Sequence, residues 1–367
     1  MKFSFDRDAL LKEISIAQEI IATKNAISIL SNVLLEAQNG SLTIKATDIK
    51  VNFETRIPVD VVEGGSTTVF CDKFMSIISS LPPGEIEFDQ SDIKVNIRSI
   101  AKKAKFQLKS ITSDKFPEFS SPSNLTFFEV PVKDFKEMIN QTVFSVSDDE
   151  TRYFMNGVYM ERKENKLQLV ATDGRRLAFI AKDFGISMPE FKGIIVPPKI
   201  LNIINRRASD EGPIAIAVGD KNIYFRFGNY EFASVLIDGQ FPNYGRVIPD
   251  QQTRSFQVDT KELMEALKRV ALLVEQKSRR IFMTVSSGVL TINSQETEIG
   301  TAKEEIPCRY DGEEITIALN YLYIEEPLKV LGSDRLTVEF TEPMKAITLH
   351  PEPTKDFFHI VMPMQME

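Results

Sequence analysis

Asp8-Ala9-Leu10-Leu11-Lys12-Glu13-Ile14 opens a helical pattern that this chain writes three times. Leu10, Leu11 and Ile14 return as Phe135, Met138 and Ile139, and again as Leu263, Met264 and Leu267. Residues three and four apart share a helix face, so each copy predicts an amphipathic helix. Each is followed, after a gap, by a Gly- or Asn-centred turn and an alternating strand. These are Asn39-Gly40-Ser41-Leu42-Thr43-Ile44, Asn165-Lys166-Leu167-Gln168-Leu169 and Ser287-Gly288-Val289-Leu290-Thr291-Ile292. From Leu10 to Phe135 is 125 residues and from Phe135 to Leu263 is 128. That period is domain-sized, too long for a solenoid unit. Three domains are therefore expected, at 1–125, 126–250 and 254–367. The junctions Phe119-Ser120-Ser121-Pro122-Ser123-Asn124 and Pro249-Asp250-Gln251-Gln252-Thr253 read as linkers.

Each repeat holds two half-copies. A second helix is expected from Asp72 to Leu81, with Phe74, Ile77, Ile78 and Leu81 on one face. Its counterparts follow Pro197-Pro198, with Ile200, Leu201, Ile203 and Ile204 apolar, and begin near Asn320. Alternating segments come next: Ile93–Arg98, Ile223–Phe227 and Leu336–Phe340. Period-two alternation marks strands with one wet face. The fold class is α+β: mostly antiparallel sheets on one side and two helices per domain on the other. Phe116-Pro117-Glu118-Phe119 and Phe241-Pro242-Asn243-Tyr244 close repeats one and two.

The bulk numbers exclude several classes. Of 367 residues, 43% are hydrophobic and 26% charged, ordinary for a soluble globular chain. The start, Met1-Lys2-Phe3-Ser4-Phe5-Asp6-Arg7-Asp8, is charged too early for a secretory signal, and no apolar run approaches the ~18 residues of a membrane span. Cys71 and Cys308 sit in different repeats, which suits a reducing cytoplasm. A net charge of −8 argues against holding nucleic acid by bulk attraction, though not against a locally basic face.

Catalytic signatures are missing. There is no phosphate-binding glycine loop, dinucleotide fingerprint, zinc-helix motif or nucleophile elbow. His350 and His359 read as strand residues without further spaced ligands, so no metal or cofactor is expected. Asp148-Asp149-Glu150 reads as a solvated loop, or else as a carboxylate pair. Thr172-Asp173-Gly174-Arg175-Arg176-Leu177 reads as a hairpin turn on Asp-Gly, whose arginines could also line a binding site. A β-rich hydrolase using Asp148, Asp149 or Asp173, and a peptide-binding scaffold that never touches DNA, stay open on these residues alone.

Two segments carry opposite charge. Ala101-Lys102-Lys103-Ala104-Lys105-Phe106-Gln107-Leu108-Lys109 has lysines and no acid, whereas Glu296-Thr297-Glu298-Ile299-Gly300-Thr301-Ala302-Lys303-Glu304-Glu305 is rich in glutamate. As edge strands of repeats one and three they could pair head to tail between copies, or simply be charged surface edges.

Assembled, several strings resemble the bacterial sliding clamps, the β subunits of the replicative DNA polymerase. They are Met1-Lys2-Phe3, Ile29-Leu30-Ser31-Asn32-Val33-Leu34-Leu35, Ala46-Thr47-Asp48, Arg152-Tyr153-Phe154-Met155-Asn156-Gly157 and Val170 through Ala178. Asp238-Gly239-Gln240-Phe241-Pro242-Asn243-Tyr244 with Arg246-Val247, and Val361-Met362-Pro363-Met364, complete the set. The resemblance implies a DNA-clamp fold: a ring-shaped head-to-tail homodimer of three-domain protomers, with helices lining the hole. Such a ring is a processivity factor and not an enzyme. It holds duplex DNA topologically and tethers the polymerase by raising its effective concentration.

The resemblance also implies three sites. The peptide pocket would comprise Met155, Thr172, Gly174, Arg175, Arg176, Leu177, Pro242, Arg246, Val247, Asn320, Tyr323, Met344, Val361, Met362, Pro363 and Met364. There, linear motifs rich in Gln, Leu and Phe would dock. Those motifs would belong to the polymerase α subunit, the clamp loader, repair polymerases, ligase and mismatch-repair proteins. Arginines 175, 176 and 246 could fix peptide carbonyls or acids. DNA would touch Lys24, Tyr153, Phe154, Lys199 and Arg206. The dimer seam would use Lys103, Lys105, Phe106 and Leu108 against Leu272, Leu273, Glu298 and Glu304. Arg175 stands where clamps usually have His, Met155 where they often have Leu, and Gln365-Met366-Glu367 replaces an Arg-Leu ending.

Overall fold

In the computed structural model, residues 1–21 and 29–366 are described. Six α-helices occur among them: α1 (Arg7–Ile20), α2 (Cys71–Ser80), α3 (Val132–Asn140), α4 (Pro198–Arg207), α5 (Thr260–Val270) and α6 (Tyr321–Val330). They fall two to each repeat. Local chemistry starts several of them. The Asp6 carboxylate accepts from the amides of Asp8 and Ala9 at the head of α1, and Asp259 accepts from Glu262 at the head of α5. Asn320 does the same for Leu322 and α6. Such caps satisfy amides that the first helical turn leaves without partners.

The repeated apolar positions face inward. Leu10, Ile14, Phe135, Met138, Ile139, Leu263 and Leu267 are fully buried, while Leu11 is only half covered. Ile16, Ala17 and Ile20 complete the α1 face. α1 also buries Glu13, at 3% exposure.

The chain divides into two compact units, Met1–Lys133 with Ile203–Leu236, and Asp134–Asn202 with Ile237–Glu367. Each contains one long antiparallel sheet. In the first unit thirteen strands are joined, and Val51–Pro58 pairs with Tyr230–Val235 through Phe53 opposite Phe232. That register links the sheet of repeat one to the second half of repeat two. In the second unit twelve strands are joined, and Arg176–Asp183 pairs with Phe357–Val361 through Leu177 opposite Ile360. Here the first half of repeat two meets repeat three. Both pairings occupy strand edges that would otherwise present unpaired backbone groups. Helices cover these sheets: α1 packs on α2 and on strand Ser41–Thr47, and α5 packs on α6 and on the strands beside it.

Both Phe-Pro segments bury their leading aromatic ring. Phe116 and Phe241 are both buried, and Phe241 stacks on Tyr159 at 4.8 Å between centroids. Among the described residues no helix is long and apolar enough to cross a membrane.

Candidate functional site

The Asp-Gly turn forms as expected between strands Lys166–Thr172 and Arg176–Asp183. Gly174 takes φ +87°, a left-handed conformation that side-chain-bearing residues adopt only with strain. The Asp173 carboxylate accepts from the amides of Arg175 and Arg176, and the Thr172 hydroxyl accepts from Gly174. The turn is thus rigid, and it lies beside the chain's tail. Arg176 is in register with Val361, and the Met362 amide donates to the Arg175 carbonyl. The Met364 amide donates to Ala318. Val361, Met362, Pro363 and Met364 are thereby fixed against the turn.

Around this joint lies one buried cluster of Val170, Leu177, Ile195, Phe241 and Ile360, with Phe154, Tyr244, Ile248 and Ala346 packed on it. Exposed apolar side chains neighbour its members along the chain. Val247 precedes Ile248, Met344 stands two residues before Ala346, and Met362 follows the Ile360-Val361 pair. They are 49%, 52% and 42% exposed. Met155, Thr172 and Asn320 are buried, whereas Pro242, Tyr323, Pro363 and Met364 are half-buried. Exposed apolar residues that gather into one patch mark ligand or partner surfaces.

The arginines differ. Arg175 and Arg246 are exposed. The Arg176 side chain is only 10% exposed and is bound internally: Nε to Asp173 at 3.1 Å, Nη2 to the Phe144 carbonyl at 2.7 Å, and Nη1 to Glu326. Its guanidinium also lies over the Tyr323 ring at 4.6 Å. Three of the five guanidinium N–H groups of Arg176 are thus committed within the fold, to Asp173, Glu326 and the Phe144 carbonyl. Sequence reading missed Glu326 and Phe144 as its partners. It also missed Arg152, which is held to Asp149 at 2.9 Å and lies against Gly174. Only the spacing of Glu326 from Tyr323, three residues apart on one helix face, hinted at this arrangement.

Asp149 serves its own segment. Its carboxylate accepts from the amide and hydroxyl of Thr151 as well as from Arg152, and these bonds hold it below the usual carboxylate range. Asp173 is likewise committed to the turn amides and to Arg176. Among the described residues, no group of three or more His, Cys, Asp or Glu is arranged to hold a metal.

Of the expected DNA-contacting residues, Lys24 lies outside the described residues. Tyr153 is 53% exposed and meets Phe154 edge-on at 5.8 Å. Lys199 is half-buried on α4. Arg206 is exposed and its Nη2 lies 3.1 Å from Glu19, which also binds Arg207.

The charged edges are shorter than the sequence suggested. Ala101–Ala104 and Glu296–Ala302 are outside the strands, which begin at Lys105 and Lys303. Strand Lys105–Ile111 pairs with Lys94–Ser99 over Lys105 to Lys109, and with Gly65–Phe70 only at Ser110 and Ile111. Strand Lys303–Arg309 repeats the pattern: it pairs with Val289–Ser294 over Lys303 to Pro307, and with Arg254–Asp259 only at Cys308 and Arg309. Among the described residues, both therefore keep one open edge over their first residues. Lys103 and Lys105 are exposed, and Phe106 and Leu108 half-buried. On the acidic side a hollow of about 650 Å³ is lined by Leu272, Leu273, Gln276, Glu296, Glu298 and Ile299, among others. Leu272 is 82% and Ile299 88% exposed. Ile299 was overlooked, although an isoleucine in a glutamate-rich run was the available signal. Glu304 is gripped in bidentate fashion by Arg269, which pulls its carboxyl below the ordinary range.

Repeated helix pairs on long antiparallel sheets, with exposed apolar residues by a sheet joint and an open strand edge in each unit, are the features of a DNA clamp. Domain models of the DNA polymerase III beta subunit match in chain order: the N-terminal domain at residues 1–120, the central domain at 129–243 and the C-terminal domain at 245–365. The beta sliding clamp of Treponema pallidum is 53% identical over 371 residues, covering all of both chains. Crystal structures of the Pseudomonas aeruginosa clamp bound to griselimycin and of the Bacillus subtilis clamp each superpose over both full chains with TM-score 0.95. Their identities are 29% and 25%. The chain belongs to the DNA polymerase III beta subunit family, the bacterial sliding clamps. Its function is that of a processivity factor of DNA polymerase in replication.

Proposed function

We propose that two copies, each of three domains at 1–125, 126–250 and 254–367, join head to tail into the family's ring. The ring encircles duplex DNA and carries the replicative polymerase along it. The observation that carries the partner site is the joint between Arg176–Asp183 and Phe357–Val361, around which Val247, Met344 and Met362 remain exposed. Leu177, Pro242, Val247, Val361 and Met362 then form an apolar seat for a peptide Leu or Phe. Met362 and Met364 are adaptable enough for several partners. Arg175, Arg176 and Arg246 meet peptide carbonyls or acids. That a relative of the same fold crystallised with griselimycin supports a ligand-accepting surface.

In this reading Lys105, Phe106 and Leu108 of one copy meet Leu272, Leu273 and Glu298 of the other, with Lys103 and Glu304 beside them. Lys24, Lys199 and Arg206 approach DNA phosphates and Tyr153 and Phe154 touch DNA beside them, all weakly, which permits sliding. Docking partners include the polymerase α subunit, the clamp loader, repair polymerases, ligase and mismatch-repair proteins. The chain acts in the cytoplasm and contributes no catalytic group; the loader supplies nucleotide chemistry.

A labelled Gln-Leu-Ser-Leu-Phe peptide tests the pocket against the intact chain and a chain ending before Met362. Saturable binding to the intact chain alone is expected. Equal or absent binding in both removes the pocket assignment.

A further inference from the structure

Beneath the pocket wall, two buried side chains form a bridge that none of these surfaces uses. Gln141, just past α3, is 2% exposed, and His359, on the last strand, 1%. His359 Nε2 lies 3.1 Å from Gln141 Oε1. The Gln141 amide nitrogen donates to the Val330 carbonyl at the end of α6. With that NH₂ committed to a carbonyl, the amide oxygen must accept, so Nε2 carries the imidazole proton and Nδ1 the lone pair. Nδ1 meets no partner among the described residues. Burial, helped by the positive charges of His350 and Arg176, brings the His359 pKa down to about 3, so the ring is neutral in ordinary buffers.

The elements this bridge ties together also hold the pocket. Three residues after Gln141, the Phe144 carbonyl receives Arg176 Nη2. α6 supplies Tyr323 beneath the same guanidinium and Glu326 beside it. Val361 lies two residues beyond His359, on the same strand face, and is followed by the exposed Met362. A shift of α6 against the last strand would therefore move Arg176, Tyr323 and Val361 relative to one another.

We propose that Gln141 and His359 are positioning residues of the peptide pocket, whose hydrogen-bonded bridge sets α6 and the last strand at the spacing that peptide binding requires. The proposal rests on the pocket reading above. A bridge that only cements the fold would lower stability and leave the affinity of folded protein unchanged.

The test uses intact protein carrying ¹⁵N-histidine, titrated with Gln-Leu-Ser-Leu-Phe. The chain has only two histidines, so His359→Phe assigns the signals. The expected result is a single Nε2-protonated tautomer for His359, whose resonances shift saturably with peptide although the ring does not reach it. Gln141→Leu, measured where it is folded, should weaken the peptide roughly three- to thirtyfold, the range typical of coupling through a packed network. Should that variant not fold, the unmutated protein's resonances decide alone. Peptide binding that leaves His359 unmoved overturns the proposal, as does unchanged affinity in folded Gln141→Leu. Failure of the unmutated protein to bind the peptide overturns the pocket reading first, and this proposal with it.

Discussion

The Arg176 guanidinium lies over the Tyr323 ring, 4.6 Å from its centroid, and this pair joins the Asp-Gly turn to α6. Three acceptors, on Asp173, Glu326 and Phe144, keep the guanidinium in place. Arg176→Ala should cost about 2–4 kcal/mol, somewhat below the loss for a fully buried pair because Glu326 is 30% exposed. Arg176→Lys should recover little, since an ammonium neither forks nor stacks in the same way. Chemical denaturation gives the stability, and peptide titration at temperatures where each variant is folded gives the affinity. A stable Arg176→Ala with unchanged peptide binding would contradict this role.

Leu272 is mostly bare in the single chain, so Leu272→Asp should leave its stability within about 0.5 kcal/mol. In the proposed dimer the new carboxylate would sit in an apolar seam beside Ile299 and Glu298, so assembly should be lost. Sedimentation velocity at micromolar concentration reads this directly. A dimer that persists in Leu272→Asp and also in Lys105→Glu places the seam elsewhere.

His359 makes stability depend on pH. Its folded pKa, about 3, lies below the unperturbed 6.5, so the unfolded chain takes up the proton first. The contribution of the neutral ring is present above pH 6.5 and is lost as pH falls toward 3. The slope approaches about 1.4 kcal/mol per pH unit for one proton. Urea unfolding at pH 7.5 and 5 should show this loss, and His359→Phe should flatten it. Parallel pH profiles for the two proteins would mean that the imidazole accepts a proton within the fold.

Glu13 has the opposite sign. Burial raises its pKa above 4.5, against hydrogen bonding from Tyr230 and the charge of Lys12, and Oε2 has no partner among the described residues. A raised folded pKa means stability that is present below the unfolded value and lost as pH rises through the folded one. Glu13→Gln keeps an oxygen for the Tyr230 hydroxyl and removes the charge. It should raise the melting temperature at pH 7.5, with the gain shrinking toward pH 4. A lower melting temperature at both pH values would show that the carboxylate is stabilising.

Much of the architecture was legible because its signals are local. The buried Leu10, Phe135 and Leu263 and the Asp173-Gly174 turn follow from hydrogen bonding and periodicity within a few residues. Of the proposed pocket, the residues themselves offered only the Thr172–Leu177 turn, and the rest came through resemblance: Val247 and Met362 are far from that turn in the chain, and no composition rule gathers them. Gln141, Glu326 and Ile299 escaped notice because a lone glutamine, glutamate or isoleucine has no meaning until its neighbours are known.

By itself, the sequence determined that the chain folds as three repeats of helices and antiparallel strands, since spacing and alternation need no distant partner. Only the tertiary structure decided that Phe53 would lie opposite Phe232, that Leu177 would lie opposite Ile360, and that Arg176 would bind Asp173, Glu326 and the Phe144 carbonyl. Strand edges are chemically alike, each a row of amides and carbonyls. Which edges meet depends on how whole sheets bury their apolar faces, a property of the packed chain and not of any one segment.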